Sequence, residues 1–280
     1  MAAGVPADDL DEVVVTARRH ALIGHVESSS QGTVTRAQLE TRPVLRTGEL
    51  LETVPGLVVT QHSGDGKANQ YFLRGFNLDH GTDLATSVDG IPVNMHTHGH
   101  GQGYTYINFV IPELLDRIEY KKGTIYADEG NFSAAGAVDL RYRRTLEHTR
   151  LSVTLGEDDY ARGVLAGSAP LAGGDMLWGL EYGVTDGPWR LAEDLRRVNA
   201  LVKYSRGGRE DGYSITASAY DGDWTSTDQI PQRAVRSGLV DRFGFIDPTN
   251  GGDSHRYSLA LRLAKPMGER RVAAKLYALG

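Results

Sequence analysis

The residues best suited to chemistry lie in one stretch, His96-Thr97-His98-Gly99-His100, where histidine recurs at every second position. In an extended chain, residues two apart face the same way, so three imidazoles at this spacing can converge on one cation. Neutral imidazole suits zinc, copper and nickel. Tyr104 follows closely, and His62 and Asp65 sit on an earlier glycine-rich loop from which they could add ligands. The alternative is that these histidines are loop residues that hydrogen bond locally. A permanent metal centre should also show carboxylates that orient its imidazoles. The pattern therefore requires no cofactor and suggests at most zinc or another transition metal held transiently. The chain has no Cys, which removes disulfides, thiolate metal sites and a cysteine nucleophile. Nothing resembles a nucleophile with its base or a catalytic acid–base pair, so the chain does not read as an enzyme.

The bulk properties bound the partners. A net charge of −6 leaves no basic footprint for nucleic acid. Gly is abundant, 34 of 280 residues, as expected of a turn-rich β chain. No run of eighteen apolar residues exists, so no transmembrane helix is expected, but a membrane barrel would escape that criterion. The N-terminus lacks a basic and then apolar leader, and removal of a secretory signal is the expectation.

The elements that must position the histidines divide the chain in three. Residues 1–40 carry little pattern beyond a β-prone island, Val13-Val14-Val15-Thr16, in an acidic tail. Residues 41–146 mix short helices and strands. Thr47–Val54 reads as a helix stopped by Pro55-Gly56, and Pro112–Asp116 as a second helix with proline at its first position. Strands are expected at Leu57–Thr60, Tyr71–Arg74, Ile118–Tyr120 and Val138–Leu140, and Asp89-Gly90 is a hairpin signal. From 147 to 280 the apolar period becomes two. Met176, Trp178, Leu180, Tyr182 and Val184 share one face, and six further segments alternate similarly. About seven strands of roughly ten residues, joined by alternately short and long connections, suit an outer-membrane barrel better than a soluble sandwich. Trp178, Trp189 and Trp224 would then form interfacial girdles or line ligand loops.

Taken together, these residues resemble the TonB-dependent outer-membrane receptors over nearly the whole chain. Asp11-Glu12-Val13-Val14-Val15-Thr16-Ala17 is similar to the family's TonB box. Gly48–Leu51 through Val54-Pro55-Gly56-Leu57 resembles the opening of its plug domain. Phe72-Leu73-Arg74-Gly75-Phe76 resembles its Arg-Gly element, and Val88-Asp89-Gly90-Ile91-Pro92-Val93 the turn after it. Pro112–Glu119, Lys122-Gly123 and Gly136–Leu140 match the later plug units. The departure is Ala134-Ala135-Gly136, where family plugs often carry paired glycines.

The resemblance implies an α+β plug domain followed by antiparallel transmembrane β-barrel strands, an incomplete share of a barrel of about twenty-two strands. Such a barrel needs far more chain than follows residue 146, so a fragment is expected. Function would then be import, not bond-making: a siderophore or other metal complex, or free zinc-type metal, taken up with energy delivered by TonB. The implied partners are TonB with its inner-membrane complex, outer-membrane lipid and a small-molecule or metal-chelate ligand. The plug and leading segment would face the periplasm and the barrel lumen. Val13–Val15 would be offered as an added strand. Arg74 and Asp89 would pair or brace the plug core. The reading from a different class is a soluble periplasmic metal-binding or adhesion module, and a third is an outer-membrane lipase-type enzyme.

Overall fold

The computed structural model describes residues 25–61, 63–268 and 270–280. The Asp11–Ala17 segment and His62 lie outside the described residues.

The first half is built on a six-stranded sheet. Its strands are β1 (His25–Ser28), β2 (Gln31–Thr35), β6 (Leu84–Val88), β7 (Ile91–Pro92), β8 (Leu115–Lys122) and β9 (Gly136–Tyr142), in the order β1-β2-β8-β9-β6-β7. A smaller sheet, β3 (Leu57–Thr60), β4 (Gln70–Leu73) and β5 (Phe76–Asn77), sits beside it. Among the described residues only β6 and β9 pair in parallel, and the crossover between them carries the histidine loop. The sheet takes in residues 25–35, and helix α1 (Arg36–Thr41) follows them, a stretch that pattern alone assigns to the leading segment. Pairing of Val34 with Ile118, both buried, explains why: a lone valine carries no periodicity but finds an apolar partner across the strand pair, whereas Val26 stays exposed.

Thr47–Thr53 is a 3₁₀ helix ending before Pro55. The expected helix at Pro112–Asp116 is only one 3₁₀ turn, Pro112–Leu114. Leu115 and Asp116 are drawn into β8, and Leu115 pairs with Tyr142. Burial of Leu114 and Leu115 on the sheet outweighs their helix propensity. Leu50, Leu51, Leu84, Ile107, Ile111, Leu114, Ile118 and Leu140 make one dry core.

The second half is one antiparallel seven-stranded sheet in chain order. Its strands are β10 (Arg150–Leu155), β11 (Ala161–Leu171), β12 (Gly174–Thr185), β13 (Leu195–Gly207), β14 (Gly212–Thr225), β15 (Gly251–Met267) and β16 (Arg270–Leu279). The burial pattern is inside out. Leu180, Tyr182, Val198, Val202, Leu259 and Leu261 are exposed, while Glu181, Arg197, Asn199 and Lys203 on the opposite faces are buried against the plug. A water-soluble sandwich would bury the first set and expose the second. An outward apolar face with polar residues inside is the arrangement of membrane barrels. The short connections 172–173 and 208–211 lie at one end. The longer loops 186–194 and 226–250, the latter with helix α2 (Gln232–Arg236), lie at the other.

Candidate functional site

The histidine loop is tied at its base. Met95 and Tyr104 form an antiparallel bridge, with the Met95 amide donating to the Tyr104 carbonyl at 3.0 Å and Gly103 to Met95 at 2.8 Å. Buried Asn94 is the hub beneath it. Its side-chain NH₂ reaches the carbonyls of Gly81, Leu84 and Gly103 at 2.9–3.0 Å, and its oxygen accepts the Thr86 amide at 2.7 Å. Asn94 thus pins the loop that follows it to the turn Asp79-His80-Gly81, where Thr105 also donates its amide to the His80 carbonyl.

Within the loop the three histidines diverge. His96 lies 5.5 Å from the Phe132 ring, and His98 stacks flat on Tyr104 at 3.9 Å. His100 meets the ring of His80 edge-on at 4.2 Å. All three are exposed. The loop 96–102 is not a strand, so the alternation that would align the rings does not apply. Among the described residues, the ligand atoms that converge are those of Asp79, His80 and His100, all within 4.8 Å of one another. Burial and the neighbouring His100 both hold His98 below the ordinary imidazole value. Burial raises the Tyr104 hydroxyl, although its oxygen accepts the Ala68 amide at 2.8 Å.

This loop floors a cavity of about 1080 Å³. Its walls come from Trp224 at the end of β14, Asp228 and Gln229 of the long loop, and Asp253 to Arg256 of β15. The cavity lies at the long-loop end of β14 and β15, and Tyr277, Leu279 and Gly280 also line it. Asp65 does not join the histidines. Arg46 lies 3.1 Å from its carboxylate, and its amide donates to Glu193 of the 186–194 loop at 3.2 Å.

The glycine-containing elements prove to be turns and close approaches. Arg74 (φ 53°) and Gly75 (φ 83°) make the tight turn between β4 and β5, and Asp89 (φ 53°) and Gly90 (φ 80°) the one between β6 and β7. Arg74 is exposed and donates to Ser30, so it does not pair with Asp89. Asp89 instead takes Lys203 of β13 at 2.6 Å, a plug-to-wall ion pair absent from any local motif. Pro55-Gly56 joins the 3₁₀ helix to β3, and Gly123 ends β8 by donating to Ala135 at 2.7 Å. At Gly136 the Lys121 carbonyl leaves no room for a side chain. Trp178 faces outward on β12 and Trp189 lies in the 186–194 loop, so Trp224 is the tryptophan at the cavity.

Comparison with known proteins agrees with this arrangement. Residues 26–137 match the family model described as the TonB-dependent receptor plug domain. A curated relative, the vitamin B12 transporter of Vibrio vulnificus, is 28% identical over 153 residues, 54% of this chain. The chain spans 24% of that protein's length. Among solved structures, the ferric citrate transporter FecA in its unliganded form superposes with a TM-score of 0.70 at 16% identity, covering 89% of this chain and 39% of its own. The copper transporter OprC superposes with a TM-score of 0.66 at 18% identity, covering 91% and 38%.

Proposed function

Because the chain belongs to the TonB-dependent receptors, with their plug domain followed by part of their barrel, we propose that it serves the active import of a scarce nutrient across the outer membrane. The work is transport and not bond-making. The ligand class we favour is a siderophore or other metal complex, with free zinc-type metal as the second reading. The observation that carries this is the cavity of about 1080 Å³, floored by the His96–His100 loop and walled by the long-loop end of β14 and β15. A void of that size takes a small chelate, and apolar walls with a few convergent polar groups are what such ligands need.

In this reading the apolar outer face of β11–β15 contacts lipid, the long loops face outward, and Asp11–Ala17 engages TonB from the periplasm. The imidazoles at the cavity floor favour the metal-bearing ligands over purely organic ones. The curated relative is named for vitamin B12, and the solved structures of like fold for ferric citrate and copper. Cells expressing the receptor, with and without functional TonB, would be supplied with radiolabelled ferric chelates, zinc and cobalamin. Saturable uptake of one of them that vanishes without TonB is expected. Equal uptake in both strains for all of them would overturn the assignment.

A further inference from the structure

Asp79, His80 and His100 do not share a spacing in the sequence, yet the fold gathers them beside the cavity, whose lining includes His80 and His100. We propose that these three side chains form an open coordination site for one divalent transition-metal cation of the zinc, nickel and copper class. The inference rests on the receptor reading and specifies what the plug grips in the ligand: the cation itself, through a chelate that leaves coordination positions vacant.

The donor set is the first support. Two imidazoles and one carboxylate, with a further position left open, is a recurrent set for zinc and its neighbours. Tetrahedral bonds of ~2.0–2.1 Å place ligand atoms roughly 3.3 Å apart. The three here lie within 4.8 Å of one another, so closure needs little more than a rotation of exposed His100 and Asp79.

The second support is the state of His80. Its Nδ1 lies 2.8 Å from the Ala68 carbonyl and 3.1 Å from that of Asn69. Both are acceptors only, so Nδ1 carries the hydrogen. In the neutral ring Nε2 then carries the lone pair, and it lies 3.7 Å from Asp79 Oδ1. A backbone carbonyl holding the distal N–H is how ligating imidazoles are oriented. The edge of a second imidazole, His100, meets the same ring at 4.2 Å.

The backbone presents these groups deliberately. Asp79 adopts φ 48°, its amide bound to Asn77 Oδ1 at 2.8 Å and its carbonyl to the Tyr71 amide at 2.9 Å. The site borders the cavity through His80 and His100, so the open position points to where a ligand's own donors would be. A cation already wrapped in six donors offers nothing to this triad, whereas a bare or loosely chelated one does. His98 is not a member, because its ring is stacked on Tyr104 and its Nδ1 accepts the His100 amide.

The test uses the full chain extracted into detergent, titrated calorimetrically with zinc and loaded separately with Cu²⁺ for electron paramagnetic resonance. One zinc per site is expected. Asp79→Asn and His100→Ala should each weaken it at least ~10-fold, while His96→Ala and His98→Ala should leave it unchanged. The copper spectrum should lose coupling to one of two nitrogens in His100→Ala. Zinc binding that is absent in the wild type, or unchanged in both Asp79→Asn and His100→Ala, overturns the site. TonB-dependent uptake measured in the same cells separates the two ideas. Import without zinc binding removes the site and leaves the receptor, whereas uptake indifferent to TonB removes the receptor reading.

Discussion

Arg162 of the barrel wall holds both carboxylate oxygens of Glu113 in the plug, at 2.7 and 2.9 Å, and the same guanidinium reaches Glu181 of β12 at 2.9 Å. Arg197 on β13 completes the chain with Glu181 at 3.0 Å. Arg162 and Arg197 are each 9% exposed at the side chain, Glu113 15% and Glu181 1%. Burial pushes the Glu113 carboxyl up, but the two-pronged grip of Arg162 outweighs it and holds the group below its ordinary value. Plug and wall are therefore joined here by charge as well as by apolar packing, since Leu114 and Ile111 of the plug lie against Gly179 of β12.

Glu113→Ala leaves Arg162 and Arg197 facing the single carboxylate of Glu181 in a dry site. Removing one member of a buried pair costs about 3 kcal/mol. The plug should unfold at lower urea concentration, and amides of β8 should exchange faster. An unchanged urea midpoint would show that the network contributes nothing to seating the plug.

Gly136→Ala tests the close approach of β8 and β9. A Cβ there would stand 2.3 Å from the Lys121 carbonyl oxygen, which is backbone and cannot swing away. The strands must part at the Lys122–Gly136 pair, at a cost of roughly 1–3 kcal/mol. Gly130→Ala has nothing within 4 Å and serves as the control. Equal melting temperatures for the two variants would refute the steric argument.

The parts of this fold that follow a period were legible without coordinates. The alternation Met176-Trp178-Leu180 against Leu177-Gly179-Glu181 states both the strand and its two faces, because lipid and lumen impose opposite polarity at every second residue. The turn at Asp89-Gly90 was legible for a local reason, two residues tolerant of positive φ. The Asp79–His80–His100 cluster was not, because it depends on Asn94 clamping two carbonyls, Gly81 and Gly103, that are twenty-two residues apart in sequence. The nearest hint was Asn77-Leu78-Asp79-His80-Gly81, a run suited to a turn just after the Arg74-Gly75 turn. The histidine spacing at 96, 98 and 100 pointed to the right loop but assumed an extended backbone. In the structure Gly99, Gly101 and Gly103 lie in a bent loop instead.

Val14→Pro tests the proposed coupling role of Asp11–Ala17. Strand addition to a partner's sheet relies on backbone hydrogen bonds, and proline removes one donor while fixing φ. TonB-dependent uptake should fall to the level of a strain without TonB, while ligand binding to extracted receptor is unchanged. Uptake at the wild-type rate would remove Asp11–Ala17 from the coupling role.

Glu193 links the 186–194 loop to the plug, and its protonation should set how firmly. Its carboxylate accepts the Asp65 amide at 3.2 Å and the Trp189 indole N–H at 2.7 Å. Burial and the negative charge of Asp65 raise it from 4.5 to about 7, against the two hydrogen bonds and the more distant Arg46. The folded value lies above the unfolded one, so the folded form binds the extra proton between them. The contribution to stability is complete below pH 4.5 and is lost as pH rises through about 7. The plug–loop contact should therefore loosen on the alkaline side. Trp189 fluorescence and exchange of the Asp65 amide should both titrate with a midpoint near 7. In Glu193→Gln the carboxylate is replaced by a neutral amide of the same shape, and the profile should become flat. An inflection that survives that substitution would assign the titration to another group and detach Glu193 from the loop's closure.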